Sequence, residues 1–287
     1  STQGWLPVSD DAVVFDHGNP PTQKGIFAFG GADSGIISIS NLVNSSGVVA
    51  SDTTGVGTAR QGVAAATYGI DKAIFGYGST GSRVSLTNLV SNSGVVASDT
   101  SGVGTAREGL GAAAYGLDKV IFGYGTTGGD GGRVSLSNLA NSSGVVASDV
   151  TGVGTARSWL AAVGYGTDKA IFAYGKTASY VSMSNLVTNV GVVGSDVSGV
   201  GTARQYAAAA GYGSTGQAIF GFGYTGSNVG VTNLVNSSGV IASDVSAVGT
   251  ARRALSAAGY GGDKAIFGYG LTSGYTAVSN LVNSSGV

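Results

Sequence analysis

Apolar and polar positions fall into short alternating runs, four to a unit of about 47 residues, and each run is broken by Gly, Ser, Asn or Asp. In the second unit an Ala-rich run, Gly62 to Tyr68, is followed by the turn Gly69-Ile70-Asp71 and an aromatic run, Lys72 to Gly78. The turn at 79–82 leads to a third run, Arg83 to Val90, and Asn92-Ser93-Gly94 leads to a fourth, Val95 to Ser98. A helix needs a longer run with a 3.6-residue apolar period, and Gly interrupts every candidate. The pattern predicts short β-strands joined by tight turns.

The same unit is written six times. A Phe inside Lys-Ala-Ile-Phe-Gly-Tyr-Gly or a near copy stands at Phe27, Phe75, Phe122, Phe172, Phe220 and Phe267, at intervals of 48, 47, 50, 48 and 47. Asn-Leu recurs at Asn41, Asn88, Asn138, Asn185, Asn233 and Asn280, and Thr-Ala-Arg ends at Arg60, Arg107, Arg157, Arg204 and Arg252. Six repeats of four antiparallel strands predict an all-β fold, a single six-bladed β-propeller domain over residues 1–287. The Ala-rich strand suits the crowded axis. The aromatic strand is apolar on both faces, as a sheet sandwiched between two others requires, with Gly allowing the neighbouring sheet to approach.

The last unit stops where its fourth strand should begin, and Leu6-Pro7-Val8-Ser9-Asp10 aligns with Val95-Val96-Ala97-Ser98-Asp99. Residues 1–10 are therefore expected to complete the last blade and close the ring. Proline fits an edge strand. Ala12 to Asp16 would then form the inner strand of the first blade, a unit without the Thr-Ala-Arg loop.

Composition narrows the function classes. Charged residues make up 10% and the net charge is −1, so no long-range attraction to nucleic acid or an anionic membrane is expected. There is no Cys, which excludes disulfides, thiolate catalysis and Cys-based zinc sites. No apolar run approaches the roughly 18 residues of a membrane helix, and the N-terminus lacks a signal-peptide pattern. A soluble chain is expected.

The run Thr105-Ala106-Arg107-Glu108-Gly109-Leu110 and its copies, with the aromatic, glycine-ended second strand that follows, resemble a kelch repeat over essentially the whole chain. The kelch double glycine is present only at Gly30-Gly31, and Val and Ala replace the fourth-strand tryptophan. The resemblance implies a propeller and leaves function open, since such propellers include interaction modules and an oxidase domain. The Ser/Thr/Gly-rich, nearly regular repeat is also similar in style to repeats in structural proteins of aquatic bacteriophages.

Catalytic candidates are few. The single histidine, His17, lies beside Asn and Pro, and Glu108 is the single glutamate. Asp52, Asp99, Asp149, Asp196 and Asp244 recur after the fourth strand, and a feature repeated in every unit is architecture, since catalysis needs one asymmetric constellation. The 128–132 loop offers one Asp, too few for a calcium cage. No enzyme, metal or cofactor is expected. The repeated arginines, Arg60, Arg107, Arg157, Arg204 and Arg252, could ring an anion at the channel mouth. The favoured reading is an Arg–Asp pair joining the two ends of the connecting loop, such as Arg60 with Asp52. Asn44-Ser45-Ser46 and its copies read as hairpin turns.

The units differ mainly on one face, in the loop between the second and third strands and in the residues after each Arg. That face gathers Trp159, Tyr180, Tyr206, Tyr224 and Tyr275, with Arg83 and Arg133, amphipathic groups suited to a glycan or a protein surface. The expectation is a non-enzymatic binding or adhesion module, extracellular or on a virion. The alternative is a structural spacer or decoration domain without a ligand.

Overall fold

The computed structural model describes residues 24–287 apart from Ile70, Asp130 and Ala247. The expected closing strand at 1–10, the inner strand at 12–16 and His17 lie outside the described residues. The described chain is all-β, with 17 strands in six small antiparallel sheets. The first unit contributes the hairpin β1 (Gly25–Ala32) and β2 (Gly35–Val43). The second contributes β3 (Ala64–Tyr68), β4 (Lys72–Gly76) and β5 (Thr87–Val90). The third holds β6 (Gly111–Tyr115), β7 (Lys119–Gly123) and β8 (Ser137–Ala140). The fourth holds β9 (Ala161–Tyr165), β10 (Lys169–Ala173) and β11 (Ser184–Val187). The fifth holds β12 (Ala208–Tyr212), β13 (Gln217–Tyr224) and β14 (Asn228–Val235). The sixth holds β15 (Ser256–Tyr260), β16 (Lys264–Gly268) and β17 (Ser279–Val282).

Within a sheet the repeated Phe sits between an Ala and the repeated Asn: Phe75 is opposite Ala65 on one side and Asn88 on the other. The fourth expected strand is not a strand. Residues 95–100 touch β5 through two isolated bridges, Val90 to Val96 and Thr87 to Thr100, whose register shifts by one residue between them. The cause is local: Asn88 Nδ2 reaches across to the Ala97 carbonyl at 3.0 Å and to Asp99 at 2.9 Å, so a side chain replaces part of the backbone ladder. In the second unit the second strand stops at Gly76, before the left-handed pair Tyr77 (φ 64°) and Gly78 (φ 109°), whereas in the first and fifth units the equivalent pair makes a bulge and the strand runs on to Ala32 and Tyr224.

The core lies between sheets rather than at one centre. Ile74 and Tyr77 of the second unit pack with Val120, Phe122 and Ala140 of the third, all essentially buried. Burying a side chain such as Phe122 is worth about 1.5–3 kcal/mol. Equivalent clusters join the third unit to the fourth, the fourth to the fifth and the fifth to the sixth. Phe27 and Val43 of the first unit pack with Tyr260 and Ile266 of the sixth, and Phe29 packs on Phe75 of the second with ring centroids 5.4 Å apart. Backbone bonds reinforce these boundaries: Gly30 N–H donates to the Arg60 carbonyl at 2.9 Å, and Gly78 to that of Arg107 at 3.0 Å.

On the uniform side, the Asn44 carboxamide accepts from Ser46 and Val48 N–H at 2.9 and 3.0 Å, an Asx-type turn. Gly47 (φ 79°) leaves its Cβ position 2.9 Å from the Tyr260 ring. That turn is thus capped by the neighbouring unit.

Candidate functional site

The repeated arginines are completely buried, so the described structure places them away from any open mouth. Arg107 donates from Nε to the Tyr124 carbonyl at 2.8 Å, from Nη1 to the Thr105 carbonyl at 2.9 Å and from Nη2 to Asn138 at 2.7 Å. Its guanidinium carbon lies 4.4 Å from the ring centroid of Tyr77, one unit back. Arg60 on Phe29, Arg157 on Tyr124, Arg204 on Tyr174 and Arg252 on Phe222 repeat the stack.

The carboxylate partner differs from the expected one. Arg60 approaches Asp99 at 3.7 Å, not Asp52, because Asn88 bridges the two groups across its own unit. Asp99 also accepts from Thr58 N–H and Oγ1. Asp149 and Asp196 repeat this arrangement with Arg107 and Arg157, and Asp244 accepts from Thr202 and Asn233 beside Arg204. Asp52 accepts from Asn41 at 2.8 Å. Desolvation pushes the Asp99 carboxyl up, but hydrogen bonds from Thr58 and Asn88 outweigh it and hold the group below its ordinary value. Burial pushes the Tyr77 phenol up to about 12.

The variable residues do converge. The residue after each Arg bridges to the end of the second strand or the loop that leaves it: Gln61 to Ser79, Glu108 to Thr126, Ser158 to Lys176, Gln205 to Tyr224 and Arg253 to Leu271. The following position is left-handed in every case, at Gly62 (φ 64°), Gly109 (φ 61°), Trp159 (φ 55°), Tyr206 (φ 57°) and Ala254 (φ 52°). Its N–H bonds to the carbonyl of the same position one unit back: Gly109 to Gly62, Trp159 to Gly109, Tyr206 to Trp159 and Ala254 to Tyr206. Two bulky aromatic residues therefore occupy a backbone conformation that normally favours glycine.

Their rings meet. Trp159 and Tyr206 have centroids 4.8 Å apart at 42°, both half-buried, and the indole lies against Gly109, within 2.7 Å of where a Cβ would stand. Burial raises the Tyr206 phenol; Arg253 opposes the shift, and Glu108 and Tyr180 add to it. Those three side chains are thus its electrostatic neighbours. Tyr180 and Tyr224 meet edge-on at 6.2 Å, and Arg253 lies 4.6 Å over Tyr224 while donating to Asn228 at 3.0 Å. Tyr275 stands apart, half-exposed against Gly31 of the first unit.

Arg83 is paired with Glu108 at 2.8 Å across a unit boundary, and Arg133 bridges through its backbone to Thr126. Sequence reasoning missed Gln205, which is 7% exposed with its Oε1 lacking a hydrogen-bond partner. Its signal was positional, since it immediately follows Arg204 just as Glu108 follows Arg107. Among the described residues no group of three or more His, Cys, Asp or Glu side chains could hold a metal; the loop residue Asp130 lies outside them. No protein-family model matches the sequence, and no curated protein matches it.

Proposed function

We propose that the chain is a six-bladed β-propeller of kelch-like repeats that acts as a non-enzymatic binding module, with the variable face engaging a glycan or protein in an extracellular or virion setting. The ring is supported by six core clusters, one at each boundary between successive units, including the one between the sixth and the first. The observation that carries the binding reading is the Trp159–Tyr206 pair. Both rings are half-exposed and stand where the second and third units carry glycine and the sixth carries alanine, so the rings, and not the left-handed backbone these units share, distinguish this part of the face. Aromatic faces stack on the apolar patches of sugars and on protein surfaces.

Probing a glycan array and a protein array with the whole chain tests this reading, using the double variant Trp159→Gly/Tyr206→Gly as reference. Glycine is the apt replacement because Gly62 and Gly109 already occupy the equivalent position. Specific capture lost in the variant supports the site; capture retained in it removes the site. The spacer reading gains from one observation: Arg83 with Glu108, and Arg253 with Asn228, satisfy one another without a ligand.

A further inference from the structure

Two unit boundaries on the variable face are built alike and charged differently. Between the second and third units, Arg83 of the loop after the second strand meets Glu108, the residue after the repeated Arg, as an ion pair at 2.8 Å. Between the fifth and sixth units the same two positions are Asn228 and Arg253, and Arg253 Nη1 donates to Asn228 Oδ1 at 3.0 Å. The first boundary is neutral. The second keeps a full positive charge, since among the described residues no carboxylate pairs with Arg253.

Arg253 is also held in place. Its guanidinium lies 4.6 Å over the Tyr224 ring, and Asn228 is itself tied down, donating from Nδ2 to the Leu271 and Thr272 carbonyls, both at 3.2 Å. The Asn228 bond occupies Nη1 only. Nε and Nη2, the side-on edge whose two parallel N–H groups match a carboxylate, have no partner among the described residues. Arg253 is half-buried, and neither nitrogen is one of the sealed, unpartnered polar atoms. The aromatic pair adjoins it: Ala254 N–H donates to the Tyr206 carbonyl at 3.2 Å, Arg253 is an electrostatic neighbour of the Tyr206 phenol, and the Tyr206 ring lies 4.8 Å from Trp159.

We infer that the ligand of this cluster is an acidic saccharide, with a sugar ring on Trp159 and Tyr206 and its carboxylate on the Nε–Nη2 edge of Arg253. A planar carboxylate meets that edge with two parallel bonds, and the stack on Tyr224 and the bond to Asn228 fix its direction beforehand, so little ordering is left to binding. A sugar fits better than a peptide because the flanking loops at 177–179 and 225–227 are Thr-Ala-Ser and Thr-Gly-Ser. They offer hydroxyls to a hydroxylated ligand and no large aliphatic side chain to a peptide. The inference rests on the binding role proposed above and names the class of its ligand.

An array that carries carboxylated saccharides each beside its methyl ester, with sulfated glycans, neutral glycans and acidic peptides on the same slide, tests this with the unaltered chain. Esterification removes the charge and keeps every ring face. Capture of carboxylated saccharides, about ten- to a hundredfold weaker for the ester, supports the inference. Acid and ester captured equally, or capture confined to neutral glycans, sulfated glycans or acidic peptides, overturns it while leaving a binding module in place. Capture of nothing removes both. Arg253→Gln gives a second reading: affinity for the acid should fall to that for the ester, and affinity for the ester should hold. Equal loss for both would show that Arg253 supports the face without receiving the carboxylate, and would overturn the assignment. The ester comparison needs no substitution, so it decides the matter even where Arg253→Gln fails to fold.

Discussion

Arg107 lies face-on over Tyr77, its guanidinium carbon 4.4 Å from the ring centroid, so that a side chain bonded within one unit is packed against the unit before it. The geometry uses all three nitrogens, each on a different acceptor. Cutting Arg107 to Ala leaves the Tyr124 and Thr105 carbonyls and Asn138 without that donor, and removes a stacked planar group. A loss of about 2–4 kcal/mol is expected, read as a lower urea midpoint. Arg107→Lys should recover little of it, since one ammonium cannot match three separated acceptors and does not stack as a plane. Full recovery by Lys would show that charge, not the fork, matters.

The carboxylates of Asp99, Asp149, Asp196 and Asp244 are held below their ordinary range. In each, desolvation raises the pKa and hydrogen bonds from Thr and Asn lower it by more. A group whose folded pKa lies below its unfolded value binds fewer protons when folded, so its contribution is complete above the unfolded pKa, about 4. That contribution disappears as pH falls through the folded pKa. Thermal stability should therefore be flat from pH 7 to about 5 and decline below about 4. The Asp196→Asn chain should show a shallower acid decline than the parent, measured by calorimetry across that range.

Much of this arrangement could be read along the chain, and the failures have physical causes. The period, the Ala-rich and aromatic strands and the turns repeat, so each copy checks the others. Residues such as Phe75 and Ile74 are buried as their pattern implies. The partner of Arg60 was not legible. Asn88 comes opposite Phe75 only after the strands pair, and a buried Asn relaying to Asp99 has no signature in spacing. The reduced fourth strand follows from the same side chain. Trp159 and Tyr206 stood out as variable aromatics, but nothing in the sequence says that bulky residues occupy a left-handed position, which propensity assigns to glycine. Gln205 went unnoticed because its interest lies in an unpaired oxygen, and pairing is a property of packing.

That left-handed position separates backbone from ring. At Trp159 (φ 55°), Val should destabilise more than Ala, because a branched Cβ is the worst fit to that conformation. Gly should relieve the backbone cost while losing the contact with Tyr206. The order of Tm expected is Gly above Ala above Val. A Val variant as stable as the Gly variant would mean that the backbone at 159 is not left-handed.

Trp159 also reports directly on the proposed site. The chain has two tryptophans, Trp5 and Trp159, so Trp5→Phe leaves a single indole in the aromatic cluster. Titrating this variant with the ligand captured on the arrays, and following its emission, tests the binding account most closely. The account predicts a saturable change in Trp159 emission whose midpoint matches the affinity measured by calorimetry, and no binding by the Trp159→Gly/Tyr206→Gly chain. Binding measured by calorimetry with the Trp159 emission unchanged would contradict it and place the ligand elsewhere on the molecule.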